Sequence, residues 1–349
     1  MRALTYQGKE RVRHASVPDA RIEAPTDALV QVELAGICGS DLHVYHHRER
    51  GLDRGTVMGH EFAGRVIAVG GEVSGIRTGD RVACPFTTNC GRCFYCRNGL
   101  TCRCVEGELF GWYENGRGLQ GAQAELVRVP LASSRLVPVP DDLDAEIALL
   151  LGDVLPTGFF CADLAKAGPR GVWVVLGCGP VGLMAIVGAR ERGAREIVAV
   201  DSIRERLALA ARFGAEVVRL DREEPGARVR ELSGGRGADG VLEAVGSARA
   251  GRLALALVRP GGVIAAAGVH HESAFAFAPM EIYDKNLTYR SGRCPARHYM
   301  ERLLDVVRAG RYDLASVISH RLALSQGEAG YRLFAGRRDG CTKVVLRPG

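Results

Sequence analysis

Five of the 11 cysteines fall in one run of sixteen residues, 89–104, which reads NCGRCFYCRNGLTCRC. Cys90, Cys93 and Cys96 stand three positions apart, and Cys102 and Cys104 follow. Thiolates at that spacing on a glycine-containing loop can close a four-sulfur cage around zinc, a structural site with no open position. Spacing alone leaves the fourth sulfur open between Cys102 and Cys104. A disulfide knot is the competing reading, but it requires an oxidising compartment. The opening stretch MRALTYQGKERVRHASVP has neither the apolar core nor the small-residue cleavage site of a secretory signal. Reduced thiols and a cytoplasmic location are therefore expected.

A sparser set lies upstream. The segment 36–43 reads GICGSDLH and 59–61 reads GHE. Cys38 and His60 are zinc-ligand types, and the acidic neighbours Asp41 and Glu61 could orient or tune them. Taken singly, Cys38 reads as a small buried hydrophobe and His60 as a hydrogen-bonded structural histidine. Only the constellation raises them to candidate ligands.

A third signal is Gly177-Cys178-Gly179-Pro180-Val181-Gly182, following the apolar run Val174-Val175-Leu176. In G-x-G-x-x-G the first glycine permits a tight turn, the second lets a pyrophosphate approach the backbone, and the third lets helix and strand pack closely. The helix N-terminus offers free N–H groups to the phosphates. The next apolar run, IVAVD, ends in Asp201, 19 residues after Gly182. A carboxylate there accepts hydrogen bonds from a ribose diol and repels a 2′-phosphate, which points to NAD rather than NADP. Asp201 can also cap the following helix, and Arg204 and Arg206 stand close by. Arg206 and Val269, the latter at the end of GGVIAAAGV, join the cofactor-binding set.

The elements that must position these residues change character along the chain. Residues 1–150 contain short β-like runs with glycine punctuation, such as ALVQVELAG, GHEFAGRVIAVG and AELVRVP, which predict a compact, mostly β domain. From Val172 onward, short apolar strands alternate with amphipathic stretches of ten to fifteen residues, the pattern of βαβ units on a parallel sheet. After Asn286 come a strand-like LTYRSGR, a helix from about Ala296 to Ala309 and a closing strand CTKVVLRP. Domain boundaries are expected near 153 and 290.

Composition sets the outer limits. At 349 residues, 47% hydrophobic and 25% charged, the chain has a soluble, globular composition with room for two cores. The net charge of +6 is spread along the chain, almost all of it arginine, since only Lys9, Lys166, Lys285 and Lys343 are lysines. No basic block interleaved with aromatics argues for a nucleic-acid partner. The longest apolar candidate, VWVVLGCGPVGLMAIVGA, is broken by Gly177, Gly179 and Pro180, so no bilayer-spanning run of roughly 18 residues is expected.

In chain order, GICGSDLH, GHEFAG, GDRV, the cysteine loop, LPTG, GCGPVG and VD resemble the zinc-dependent alcohol dehydrogenases of the medium-chain dehydrogenase/reductase family. The resemblance spans almost the whole length. It implies an α/β fold: a GroES-like β-rich catalytic domain over 1–153, a Rossmann NAD-binding domain with a doubly wound parallel sheet over 154–290, and a segment 291–349 completing the first domain. It implies Cys38 and His60 as catalytic zinc ligands, Ser40 as the hydroxyl taking the substrate proton, and His43 as the relay towards solvent. Asp41 matches the partner of the zinc histidine, and Glu61 the glutamate near the metal and an alternate ligand. The structural quartet falls on Cys90, Cys93, Cys96 and Cys104, leaving Cys102 over. Phe86 matches a substrate-pocket aromatic and Thr157 a nicotinamide contact.

The departure from the family pattern is Asp153, where many alcohol dehydrogenases carry a zinc-binding cysteine. Some members, glutathione-independent formaldehyde dehydrogenases and dismutases among them, resemble this chain in having aspartate there. A carboxylate is a zinc ligand in its own right, and a harder one than thiolate. The competing reading of Asp153 is a helix N-cap, with Glu61 as third ligand.

Two Zn²⁺ per chain and NAD are thus expected, with reversible hydride transfer between an alcohol, or an aldehyde hydrate, and NAD. The substrate is a small alcohol or aldehyde, with polyols and sugar alcohols as the alternative. Phe86, Trp112 and Tyr113 suggest an aromatic-lined pocket, with Trp112 open to a core role, and His46 and His47 either line the mouth of the cleft or, as the preferred reading, are solvated. No nucleic-acid or membrane partner is expected, and family members form homotetramers or homodimers. A zinc-free quinone reductase-like member would lack Cys38, His60 and Asp153. A non-catalytic member would not need both metal sites and the Ser40–His43 relay.

Overall fold

The computed structural model describes all residues, 1–349. The chain forms two compact units, residues 1–153 with 295–349 and residues 154–294. The second unit runs a few residues past 290 because the strand Thr288–Ser291 pairs in its sheet.

The first unit is built on a seven-stranded sheet. Its central strand, Ala28–Ile37, pairs antiparallel with Phe62–Val69, with Leu126–Val129 and with the last strand, Val344–Arg347. Alternation explains the choice of faces: Ala28, Val30, Val32 and Leu34 are buried, while Gln31 between them is exposed. Val344, Val345 and Leu346 are fully buried, so the chain's last strand belongs to this core. Val344 pairs with Ile37, and Ala35 pairs with Phe62. That register gathers Cys38, the His60–Glu61 step and Lys343 at one end of the sheet.

The second unit holds a six-stranded parallel sheet in the order Glu216–Arg219, Glu196–Asp201, Val172–Leu176, Ala238–Glu243, Val258–Ala266, Thr288–Ser291. Numbered along the chain this is 3-2-1-4-5-6, the doubly wound dinucleotide-binding order. The strand Val172–Leu176 is buried throughout, as expected for a parallel strand covered on both faces. In such sheets ligands bind beyond the carboxyl ends of the strands, where the order reverses. Here that is the gap between Val172–Leu176 and Ala238–Glu243. No helix is long and apolar enough to cross a membrane.

Candidate active site

Cys38 follows the strand Ala28–Ile37, and the short helix Asp41–Tyr45 begins three residues later. The Asp41 carboxylate turns back on this corner: Oδ2 accepts the Cys38 backbone N–H at 2.9 Å, and Oδ1 lies 3.1 Å from His60 Nδ1. With Nδ1 donating to Asp41, His60 presents Nε2 on the other side of its ring. There Nε2 lies 3.4 Å from Asp153 Oδ2 and 3.1 Å from Ser40 Oγ, and Asp153 Oδ2 lies 3.6 Å from Cys38 Sγ. Asp153 directly precedes the helix Val154–Ala165, yet it aims a carboxylate oxygen at Cys38 and His60. Gly152 lets it approach, since a Cβ there would lie 2.3 Å from Cys84 O.

Ligand-type atoms of Cys38, His60, Glu61 and Asp153 all lie within 4.8 Å of one another. Three carboxylates, those of Asp41, Glu61 and Asp153, are buried around this point. Burial raises the Cys38 thiol to about 11, with the Glu61 and Asp153 charges adding to the shift. Burial works against a charged His60, but the Asp41 charge and hydrogen bonds to Asp153, Asp41 and Cys38 override it and lift the imidazole. Burial likewise opposes the Asp153 charge, and His60 outweighs it to hold that carboxyl below the usual range. One sulfur, one imidazole and one or two carboxylates suit zinc, and a dication is the partner this much buried acid calls for. Glu61 Oε1, buried with no hydrogen-bond partner, fits the same demand.

The surroundings contain residues the motifs did not reveal. Lys343, with no exposed surface, donates to Ile37 O at 3.1 Å and to Glu61 Oε2. Gly36 makes room for that carboxylate, because a Cβ there would fall 2.0 Å from Glu61 Oε2. Gln123 donates to Gly36 O at 2.9 Å and to Asp41 Oδ2 at 3.3 Å, and accepts from Tyr331 at 2.9 Å. A lysine inside the apolar strand CTKVVLRP was the one available sign, since an inward-facing ammonium demands a buried acid.

The cysteine loop resolves the choice of fourth sulfur. Cys90, Cys93, Cys96 and Cys104 converge as a second ligand-type cluster, and Cys102 sits outside it in the turn Thr101–Arg103. No disulfide joins any of the eleven cysteines. Cys104 Sγ accepts from the backbone of Cys90 at 3.2 Å and Glu106 at 3.4 Å, and Cys90 Sγ from that of Cys93 at 3.4 Å. Backbone N–H groups of Cys96 and Val105 pull the Cys93 thiol down to about 6. Burial pushes the Cys104 thiol up and the Cys96 thiol up to about 12, so a metal is what would let all four sulfurs serve together as thiolates.

In the second unit, Gly177 adopts φ +85°, and Gly179 opens the helix Pro180–Glu191 with proline at its first position. A Cβ on Gly182 would lie 1.7 Å from Gly177 O, so only glycine allows this helix to start so close to the turn. Above Gly179 a Cβ would meet only Arg206 Nη1, at 3.8 Å, which leaves a cradle open to a phosphate. Asp201 Oδ2 accepts from Cys178 N at 2.7 Å and Oδ1 from Ile203 N at 2.9 Å. It therefore ties the glycine turn to the end of the next strand and holds the Ile203 N–H ahead of the helix Arg204–Arg212, without capping that helix, whose N-terminus has no side-chain cap. Val181 lies in the first turn of the Pro180–Glu191 helix. Val269 is half-exposed beyond the strand Val258–Ala266, and Thr157 lies in the first turn of the helix Val154–Ala165. These features fit a dinucleotide.

The remaining predicted residues divide. Phe86 is buried, with its ring edge-on to His60 at 6.2 Å between centroids. Trp112 packs on the core formed by Leu4, Met58 and Tyr331 and lines a surface pocket with Glu114, Asn115 and Arg117, and Tyr113 is half-buried on the same hairpin. His43 is half-buried on the helix bearing Asp41, its backbone N–H donating to Ser40 O at 3.0 Å. The expectation that His46 and His47 are merely solvated needs correction. His46 pairs with Glu10 at 3.0 Å and His47 Nε2 lies 2.6 Å from the Tyr6 hydroxyl, so both hold the helix Asp41–Tyr45 against the first strands.

Comparison with known proteins agrees with this architecture. Residues 24–141 match the alcohol dehydrogenase GroES-like domain and residues 180–309 the zinc-binding dehydrogenase domain. Zinc-type alcohol dehydrogenase B of Aspergillus flavus is 39% identical, covering 100% of this chain and 82% of that one. An uncharacterized zinc-type alcohol dehydrogenase-like protein of Bacillus subtilis is 36% identical, with each chain covered in full at 100%. Among solved structures, the alcohol dehydrogenase TADH from Thermus sp. ATN1 superposes with a TM-score of 0.93 at 41% identity, with 100% of both chains covered. Fold and site thus define an oxidoreductase with a GroES-like unit and a dinucleotide-binding unit. The chain belongs to the zinc-type alcohol dehydrogenases of the medium-chain dehydrogenase/reductase family.

Proposed function

We propose that this protein reversibly transfers a hydride between a small alcohol, or the hydrate of an aldehyde, and NAD. The observation that carries the reading is the buried convergence of Cys38, His60 and Asp153, with Glu61 behind them, in a chain that also holds a complete glycine-turn cradle.

Cys38, His60 and Asp153 would hold the catalytic zinc, whose Lewis acidity lowers the pKa of an alcohol hydroxyl towards neutrality. Glu61 is the alternate ligand, kept in reserve by Lys343. Gly177, Gly179, Pro180, Val181 and Gly182 would hold NAD, whose nicotinamide takes the hydride. Ser40 accepts the hydroxyl proton and His43 passes it towards solvent, which spares the pocket a buried charge. Asp41 keeps His60 Nε2 turned inward, and Phe86 supplies an apolar wall that excludes water. Asp201 accepts from the ribose diol, and Arg206 stands beside the phosphates. Cys90, Cys93, Cys96 and Cys104 would hold the structural zinc. A cytoplasmic homotetramer or homodimer is the assembly this reading favours.

The test is to follow NADH absorbance over a panel of alcohols, aldehydes and polyols, each with NAD and with NADP. Turnover with NAD on simple alcohols or aldehydes is expected. Turnover confined to polyols would shift the substrate class, and turnover with NADP alone would overturn the role of Asp201.

A further inference from the structure

Beyond the strand Ala238–Glu243 the chain turns at Val245–Gly246, and beyond Val258–Ala266 it turns at Gly268–Val269. These turns meet backbone to backbone: a Cβ on Gly246 would lie 2.3 Å from Val269 O, and one on Gly268 would lie 2.2 Å from Gly246 N. Val245 in turn covers the glycine turn, its Cγ2 falling 2.6 Å from where a Gly177 Cβ would be. The pair therefore borders the dinucleotide cradle.

One chain of charged groups stitches the two turns together. Glu243 is buried, and its Oε1 accepts from Val245 N at 2.7 Å and Gly246 N at 2.8 Å. Its Oε2 lies 2.9 Å from His270 Nε2, and His270 Nδ1 lies 3.4 Å from Glu272 Oε2. Glu272 Oε1 then accepts from Ala248 N at 2.7 Å, at the start of the helix Ala248–Leu257. A ring with a carboxylate oxygen facing each nitrogen is satisfied only as imidazolium, since a neutral ring donates from one nitrogen alone.

We propose that His270 is a positioning residue for the cofactor: as imidazolium it clamps the Gly268–Val269 turn onto Val245–Gly246, and dinucleotide affinity falls when it loses its proton. The inference rests on the dinucleotide reading of the glycine turn. The groups facing the clamp are Glu243 from the strand, Glu272 from the loop, and Tyr289 and Cys161, both of which feel the Glu243 charge. His271 is the neighbour in sequence. The Glu243 hydrogen bond raises the His270 pKa, burial opposes it, and the two glutamate charges support it. A raised histidine pKa fixes the sign: the clamp is fully formed below about 6.5 and is lost as pH rises through the higher folded value.

The experiment is NADH fluorescence titration of the zinc-loaded full-length enzyme from about pH 6 to about pH 9. Wild type is expected to weaken about fivefold across that range, through a midpoint above the ordinary histidine value. His270→Gln should show the weak, high-pH affinity throughout, and His270→Lys should stay tight throughout because its charge persists. The KM for NAD should rise about fivefold in His270→Gln while kcat changes less than about twofold. A wild-type pH profile retained in His270→Gln overturns the clamp and leaves the dinucleotide reading intact. Histidine NMR on the same protein separates the other failure: a raised His270 pKa with no NADH binding at any pH overturns the dinucleotide reading, and the cofactor role of His270 with it.

Discussion

Cys90, Cys93, Cys96 and Cys104 come from a single loop whose flanking Phe94 and Val105 are exposed. Cys38, His60, Glu61 and Asp153 come from segments up to 115 residues apart, with Lys343 arriving from just before the last strand. The loop supplies sulfur and backbone N–H groups only. The dispersed cluster mixes sulfur, imidazole and carboxylate, with the Ser40 hydroxyl beside it. A closed set of four thiolates fixes a shape, whereas three mixed ligands leave a position open for a reacting oxygen. Under the proposed function, the region richest in reactive side chains is therefore the less chemical of the two.

That contrast can be broken in several places. His60→Ala, which removes a ligand from the dispersed cluster, should cut kcat at least ~1000-fold, about 4 kcal/mol in the barrier, with far-UV circular dichroism unchanged. Cys104→Ser should instead lose the loop's zinc and lower Tm by on the order of 10 °C in calorimetry, with the surviving folded enzyme still turning over. An unchanged Tm there would remove the structural role of the cage. Lys343→Met leaves Glu61 buried without its cation and should cost about 3 kcal/mol in denaturant unfolding, much of it recovered in the double variant with Glu61→Gln. Cys102→Ser should alter neither metal content nor Tm, because this thiol stands outside the cage. A lost zinc in that variant would reassign the fourth sulfur.

How far these features are legible in sequence follows their locality. The glycine turn and the cysteine triplet lie within a few residues of one another, so their spacing carries their geometry. The parallel order 3-2-1-4-5-6 follows from alternating strands and amphipathic helices, a periodic signal. The choice of Cys104 over Cys102 required the course of the turn Thr101–Arg103, which spacing cannot express. The Lys343–Glu61 pair depends on the last strand docking beside Ile37, a register set across the whole first unit. The His270–Glu243 contact is likewise created by two turns meeting at the sheet's end. His46 and His47 were misjudged because their partners, Glu10 and Tyr6, lie far back along the chain.

Under the proposed function, chemistry belongs to the dispersed cluster and the cysteine loop is its scaffold. The most direct test is the zinc content of purified Cys38→Ser, determined by mass spectrometry alongside NADH production from an alcohol that the wild type oxidises. The account predicts a folded protein that keeps about one zinc per chain, in the loop, and has lost turnover. A Cys38→Ser enzyme that retains two zincs and undiminished turnover would contradict it.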